Sequence, residues 1–509
     1  MEMQMNKSII AALVGGLGFP GFVLAATSNE LLESQVQELI LQVKALKKSN
    51  AELTQKMDAR QVTTSATEDA DAETEQDKLK RQVNNLDIKV SSLSDAAESG
   101  PISGLSVTGY LDPMYLYNRD ARSSSFHFLN HNQTYDYYDS NLGDVYLDVK
   151  KTFGVGNMAP SVEFIIQPNR GSGSASTGEH GLLNNGIFTQ ADAALPLTPL
   201  STLTVGLMPS LAGYEQTTAN TMLGLTHNLL YDFSEPSSYI GVNYKWFDSD
   251  YRNQWQVMLA NEQLKTAGAV IKSSNGSIQS NRTPTLSARW DYFYSTALDL
   301  GISGNVGRQT LWTPTSCSGG YGYQCNSSLA FGNYYYVEGD LSYTATDIQY
   351  NAQIDYGSQK HAAWNGGDAQ WWGFSLQGGR KWNSEIFGRM GASVRVDYLN
   401  NSKNGGGGGG ITYDVAGTGA YNGSVNTTSG WGVNQSCLNA SMVSGGNGLE
   451  CKGSNRVDLA FDLAFFPTEK IIVKLEYRHD FSNNPVFQRS DGSLSKNNDI
   501  FGTQFIYSF

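Results

Sequence analysis

The chain has 509 residues, with 48 acidic side chains against 35 basic ones, a net charge of −13, 54 Gly, 27 Tyr, 21 Phe and 9 Trp. Only 16% of its residues are charged, well under the roughly 25% of a soluble domain, so a string of ordinary soluble domains fits poorly and a large β protein fits well. The acidic balance argues against nucleic acid as a partner, because phosphate binding needs clustered Lys and Arg.

In chain order, Lys7 precedes an apolar run from Ile9 to Leu24 that ends in Val23-Leu24-Ala25, which predicts a secretory signal peptide over residues 1–25. Gly15, Gly16, Gly18 and Pro20 interrupt the run, which is short for a spanning helix. Next, Leu32, Val36, Leu39, Val43, Leu46, Asn50, Leu53 and Met57 recur at alternating steps of four and three. A stripe two residues wide in seven is a coiled-coil seam, so residues 26–60 are expected to self-associate, with Asn50 setting register. Residues 61–77, mostly Thr, Ala and acids, read as a flexible linker. A second short helix within 78–104 carries Leu79, Val83, Leu86, Val90 and Leu93 out of register with the first seam, and Ser99-Gly100-Pro101 closes it.

From residue 105 to 509 the apolar period becomes two. Val457, Leu459, Phe461, Leu463 and Phe465 alternate with Arg456, Asp458, Ala460 and Asp462, giving one apolar face and one charged face. Such segments are expected near 105–117, 142–151, 160–168, 187–195, 202–208, 239–247, 254–262, 284–292, 297–308, 334–343, 347–357, 370–380, 385–399, 455–466, 470–480 and 499–509. Their connections alternate long and short. This asymmetry, with charge confined to one face, predicts an all-β transmembrane barrel of about 16 antiparallel strands, preceded by the α-helical coiled coil. An even strand number leaves both barrel ends, and the coiled coil, in the periplasm. Aromatics near strand ends, among them Trp246, Trp255, Trp290 and Tyr343, suit girdles at headgroup depth.

Export places the four cysteines in an oxidising compartment. Three pairings are possible, and the simplest joins Cys317 with Cys325 and Cys437 with Cys451 inside Gly/Ser/Asn-rich loops. The pleat points Arg389, Arg395, Arg456, Lys474 and Arg478 inward, with Asp397, Asp458, Asp462 and Glu476 beside them. Glu338, Asp340 and Asp355 point inward on two other strands with no base among them. Bases and acids on different parts of the wall would set a transverse field across a pore that these residues line. Connection 209–238, with Met222, Leu223, Leu225, Leu229 and Leu230 at roughly helical spacing, either packs on the inner wall as a constriction, covers a subunit contact or stays outside. The longest loop, 400–454, with six consecutive glycines from Gly405 to Gly410, is expected at the surface.

No cofactor motif and no catalytic residue set stands out. His127 and His131 are four apart where no helix is evident, so no metal site is expected, and His479 beside Asp480 reads as an interface residue. A loop-based receptor for a siderophore, sugar or peptide, using Trp312, Trp364 and Trp431, is the first alternative to a channel, and a surface adhesin is the second.

The last strand places Phe501, Phe505, Tyr507 and the terminal Phe509 on one face. Here the chain resembles the outer-membrane porins of Gram-negative bacteria. Gly109-Tyr110-Leu111-Asp112 and Lys474-Leu475-Glu476-Tyr477-Arg478-His479-Asp480 are similar to OmpL-like porins and to an uncharacterised proteobacterial porin-like family with an N-terminal coiled coil, over residues 26–509. The resemblance implies passive diffusion of small hydrophilic solutes or ions across the outer membrane and contact with its lipid. It also implies a homotrimer, and Phe505, Tyr507 and Phe509 as the signal read by the barrel-assembly machinery.

Overall fold

The structure, a computed structural model, describes residues 103–509 except 129–142, 168–187, 216, 237, 263–269, 273–277, 281, 311–330, 364, 366, 409–410, 412–424, 427–429 and 445–449. The described residues belong to one compact unit, Leu93–Phe509. Strand β1 runs Leu105–Leu111 and resumes as Met114–Asn118, and β2 is likewise in two pieces, Ser123–His127 and Val145–Thr152. Then come β3 (Ser161–Ile166), β4 (Phe188–Thr198), β5 (Ser201–Met208), β6 (Tyr239–Phe247), β7 (Asn253–Glu262), β8 (Thr285–Phe293) and β9 (Leu298–Thr310). After these follow β10 (Phe331–Thr344), β11 (Ile348–Gln359), β12 (Ala369–Ser384), β13 (Gly388–Asn400), β14 (Asn455–Thr468), β15 (Ile471–Ser482) and β16 (Asn497–Ser508).

Each strand pairs antiparallel with its sequence neighbour, and β16 returns to β1 through Tyr110↔Ser508 and Met114↔Gln504. The sheet is therefore a closed barrel of 16 strands, made from 18 strand pieces because β1 and β2 are each broken once. Pro113 lacks the N–H a ladder needs and marks the break in β1. The terminal Phe509 finishes the seam, exchanging backbone hydrogen bonds with Gly109 at 2.9 and 3.2 Å. Its ring occupies the space a Cβ on Gly109 would need, with a ring carbon 2.7 Å from that position.

One connection differs from the sequence reading, which placed a long loop directly after β1. The chain instead reverses at once: the Asn118 side chain accepts the N–H groups of Asp120 and Ala121 at 3.1 and 3.0 Å, and Ser123–His127 pairs back on Met114–Asn118. The extra residues form an insertion inside β2. Ser123-Ser124-Ser125-Phe126 has too few apolar residues to show a period of two.

The alternation is inside out relative to a soluble protein. Val205, Ile240, Leu259, Ile302, Val337, Leu376, Leu463, Leu475 and Phe505 are exposed on the outer wall, while Asp291, Glu338, Asp355, Arg395, Asp458 and Arg478 are buried inside. A wall facing hydrocarbon accepts that arrangement and a wall facing water does not. The apolar core sits within the barrel, where Met114, Leu116, Tyr334, Trp371, Leu399 and Ile500 interrupt the polar inner face and pack against loop residues.

Candidate functional site

The connection between β5 and β6 folds into the barrel. Its apolar residues dictate this: Leu225 packs with Met114, Leu116 and Ile500, and Leu229, Leu230 and Phe233 pack with Tyr334, Trp371 and Leu399. A short helix α1 (Leu229–Phe233) forms there because Asn228 caps it, its side chain accepting the Leu230 and Tyr231 N–H groups at 2.9 and 2.8 Å.

Charged side chains on β13 to β15 supply what the irregular backbone of this loop lacks. Lys474 Nζ donates to the carbonyls of Ala219, Met222 and Gly224 at 2.7, 2.9 and 2.7 Å. Glu476 accepts the N–H groups of Leu225 and Thr226 at 2.8 and 2.9 Å and the Thr226 hydroxyl at 2.6 Å. Arg395 donates to the Thr226 carbonyl and, at 3.1 Å, to its hydroxyl. Arg478 donates to the same hydroxyl at 2.9 Å and to the His227 carbonyl at 3.0 Å. Buried polar groups need such partners, and here both sides of the contact find them.

The bases and acids of this wall are interleaved. Arg395 pairs with Asp397 and Asp458 at 3.0 and 3.1 Å, Arg478 with Asp458 and Asp480 at 2.9 and 3.2 Å, and Arg456 with Asp480 at 2.9 Å. Four bases thus meet five acids, with Asp462 and Glu476 completing the set. Arg456 also lies over the rings of Phe233, Trp431 and Phe487, 5.2 to 5.3 Å from their centroids. All four bases are at most 1% exposed beneath the loop.

A second anchor holds the loop ends. Arg289 on β8 donates to the Leu211 carbonyl at 3.0 Å and pairs with Asp291 and Asp340 at 2.6 and 2.8 Å and with Glu338 at 3.6 Å. Gln353 donates to Glu235 at 2.7 Å and to Asp355 at 2.9 Å. Enclosure inside the barrel, and the Asp355 carboxylate beside it, push the Glu235 carboxyl well above the usual carboxylate range.

Glu338 and Asp340 therefore meet a base from another strand, Arg289 of β8. Arg289 is not legible as their partner from sequence, because it stands on β8, two strands from β10, and nothing in the alternation says which strands a long side chain spans. Arg389 stands apart from the other bases, exposed at a tight turn and 3.2 Å from Asp347. The Asn400–Ser454 loop, expected at the surface, buries Ile411, Trp431, Val433 and Cys451 against α1 and the inner wall. Inner-face apolar residues such as Met114, Leu116 and Trp371 were the available signal for these docking points.

Cys437 and Cys451 form a disulfide with Cα atoms 5.9 Å apart. Cys317 and Cys325, Trp312 and Trp364, His131, and the heptad residues Leu32 to Met57 lie outside the described residues. His479 faces outward and pairs with Asp499 at 2.8 Å, whereas Asp480 faces inward. Phe505, Tyr507 and Phe509 are exposed on the outer wall.

Among solved structures, the chain is similar to a loop-deletion mutant of OmpT, an outer membrane protein of Vibrio cholerae (9% identity, 80% of this chain and 99% of that one, TM-score 0.44). It is also similar to the outer membrane channel DcaP of Acinetobacter baumannii (12% identity, 80% and 97%, TM-score 0.44) and to an anion-selective porin from Comamonas acidovorans (8% identity, 80% and 99%, TM-score 0.47). None of the curated proteins compared with the chain matches it. A family model does match over residues 5–509, and the chain belongs to that family, described as a protein of unknown function (DUF3138).

Proposed function

We propose that this protein is an outer-membrane channel for passive diffusion of small hydrophilic solutes or ions, constricted by the β5–β6 loop. The observation that carries this reading is the closed barrel with an apolar outer wall and a charged interior, in which the loop is anchored mainly to one side, β8 to β16. Charges inside a barrel are tolerated where the lumen is polar. Arg395, Arg456, Lys474 and Arg478 hold the loop in place, and Arg289 and Gln353 anchor its ends, the first held by Glu338 and Asp340 and the second by Asp355. The heptads at Leu32 to Met57 support self-association in the periplasm, as a homotrimer in this proposal. The aromatic last strand is proposed as the assembly signal, with Phe505, Tyr507 and Phe509 as its outer face.

Planar-bilayer recording of the purified full chain tests the channel. Stepwise, ohmic conductance increments are expected. A barrel that inserts and stays electrically silent would favour the receptor reading, to which the buried Trp431 ring lends support.

A further inference from the structure

Assuming that channel, we infer that its permeation path runs along the inner face of β2 to β4, away from the arginine cluster, and that Asp148, Glu163 and Asp192, opposed at that level by Lys150, make it prefer cations. Small monovalent cations and protonated amines are the solute class such a wall favours.

The register places these residues together. Lys150 pairs with Glu163, Glu163 with Asp192, Asp192 with Gly206, and Gly206 with Gly241. One rung across five strands thus carries a base, two acids and then two glycines, which bring no further charge to that height. Asp148 lies two residues along β2, between Thr108 of β1 and Ile165 of β3. Three carboxylates therefore meet one ammonium there. The next base beyond this wall, Lys245, is opposite Thr202, two rungs past Thr204 and Asn243 from the glycine pair.

Accessibility separates this wall from the other. Lys150, although bonded to Glu163 at 2.9 Å, keeps 44% of its side chain exposed and Glu163 keeps 19%. Arg395, Arg478 and Lys474 are buried under the loop and hydrogen-bonded to it, and Arg456 is buried against its Phe233 ring. Thr108 and Thr217 are exposed, on β1 beside the acids and on the loop segment between Tyr214 and Ala219 respectively. That segment runs from Ser375, which Tyr214 bonds at 2.8 Å, to Tyr110, whose hydroxyl accepts the Ala219 N–H at 3.0 Å. The loop thus reaches from β12 to β1, and its Leu211 packs on Tyr239 of β6 and on Met258 and Ala260 of β7, while Lys150 and Glu163 on β2 and β3 keep their exposure. A permeating ion meets the charges of that wall, while those behind the loop are interleaved and buried.

Reversal potentials under a KCl gradient test this with the full chain in planar bilayers. The parent is expected to favour K⁺. Glu163→Gln should lower the cation-to-anion permeability ratio roughly two-fold and Lys150→Gln should raise it by a similar factor, both effects shrinking at 1 M salt as screening shortens. Opposite shifts from adjacent residues cannot come from general damage to the barrel. Unchanged reversal potentials in both variants, or shifts of the same sign, would overturn the inference while leaving a conducting channel intact. A silent parent would instead remove the channel itself.

Discussion

Lys474 shows how one side chain decides where a loop goes. Its ammonium is buried and directs three donors at three loop carbonyls, with Gln504 of β16 opposite it in register. Lys474→Met would leave those carbonyls and the neighbouring acids without their cation, a loss of about 3–5 kcal/mol. We expect the barrel to persist and the loop to detach, so that a cysteine placed at buried Leu225 becomes reactive to a water-soluble thiol reagent only in the Lys474→Met background. Glu235 adds a pH dependence. Because its carboxyl is raised in the folded chain, the folded state keeps a proton that the unfolded chain has lost above its ordinary value of 4.5. The stabilisation is full below that value and disappears as pH rises through the raised one. Amide exchange in 209–238 should therefore quicken with rising pH beyond its intrinsic base catalysis, and Glu235→Gln should abolish the excess. An equal excess in the variant would contradict the assignment. The inward direction of Arg395 or Arg478 follows from its place between lipid-facing residues and is legible in sequence. Its partners, Thr226 and the His227 carbonyl, are not, because they come from a loop more than 160 residues earlier.

At the scale of elements, the strands announce themselves and the loops do not. Sixteen alternating segments are visible because each must satisfy lipid on one side and polar surroundings on the other, a constraint with a period of two. The β2 insertion is not legible in sequence because a five-residue piece with four polar residues carries no such pattern. Placement of loop 400–454 failed for a different reason. Its run of glycines suits a loop at the surface, yet Gly407 and Gly408 lie so close to the wall that a Cβ would stand 2.4 Å from the Ala362 carbonyl oxygen and 2.6 Å from the Trp371 ring. Glycine here permits close packing as well as the left-handed backbone at both positions. The Cys437–Cys451 bridge closes a loop within the same segment and tethers buried Cys451 beside Trp431. Non-reducing peptide mapping should recover that pair, and reduction should leave the barrel folded while exposing Trp431 to collisional quenchers. A barrel that unfolds on reduction would mean that this segment supports the strands as well as itself.

For the molecule as a whole, the decisive question is which solvent meets the outer wall, and one substitution can answer it. Leu376 is at the middle of β12, faces outward, pairs across to Ala352 and Val396, and is 53% exposed. Were that face in water, Leu376→Arg would behave as an ordinary surface change worth under about 0.5 kcal/mol. Facing hydrocarbon near mid-depth, the guanidinium must be desolvated or drag water inward, and the expected cost is about 2–4 kcal/mol. Ile386, in the tight turn between β12 and β13, is 83% exposed and lies beyond the strand ends. Ile386→Arg should therefore cost close to nothing in either solvent. Urea unfolding of the parent and both variants, folded into phospholipid bilayers, separates the cases by comparing two exposed residues of like chemistry that differ only in depth. If the two arginines cost the same, the exposed apolar band does not mark a lipid contact, and the inverted packing of this barrel would need a protein partner to cover it.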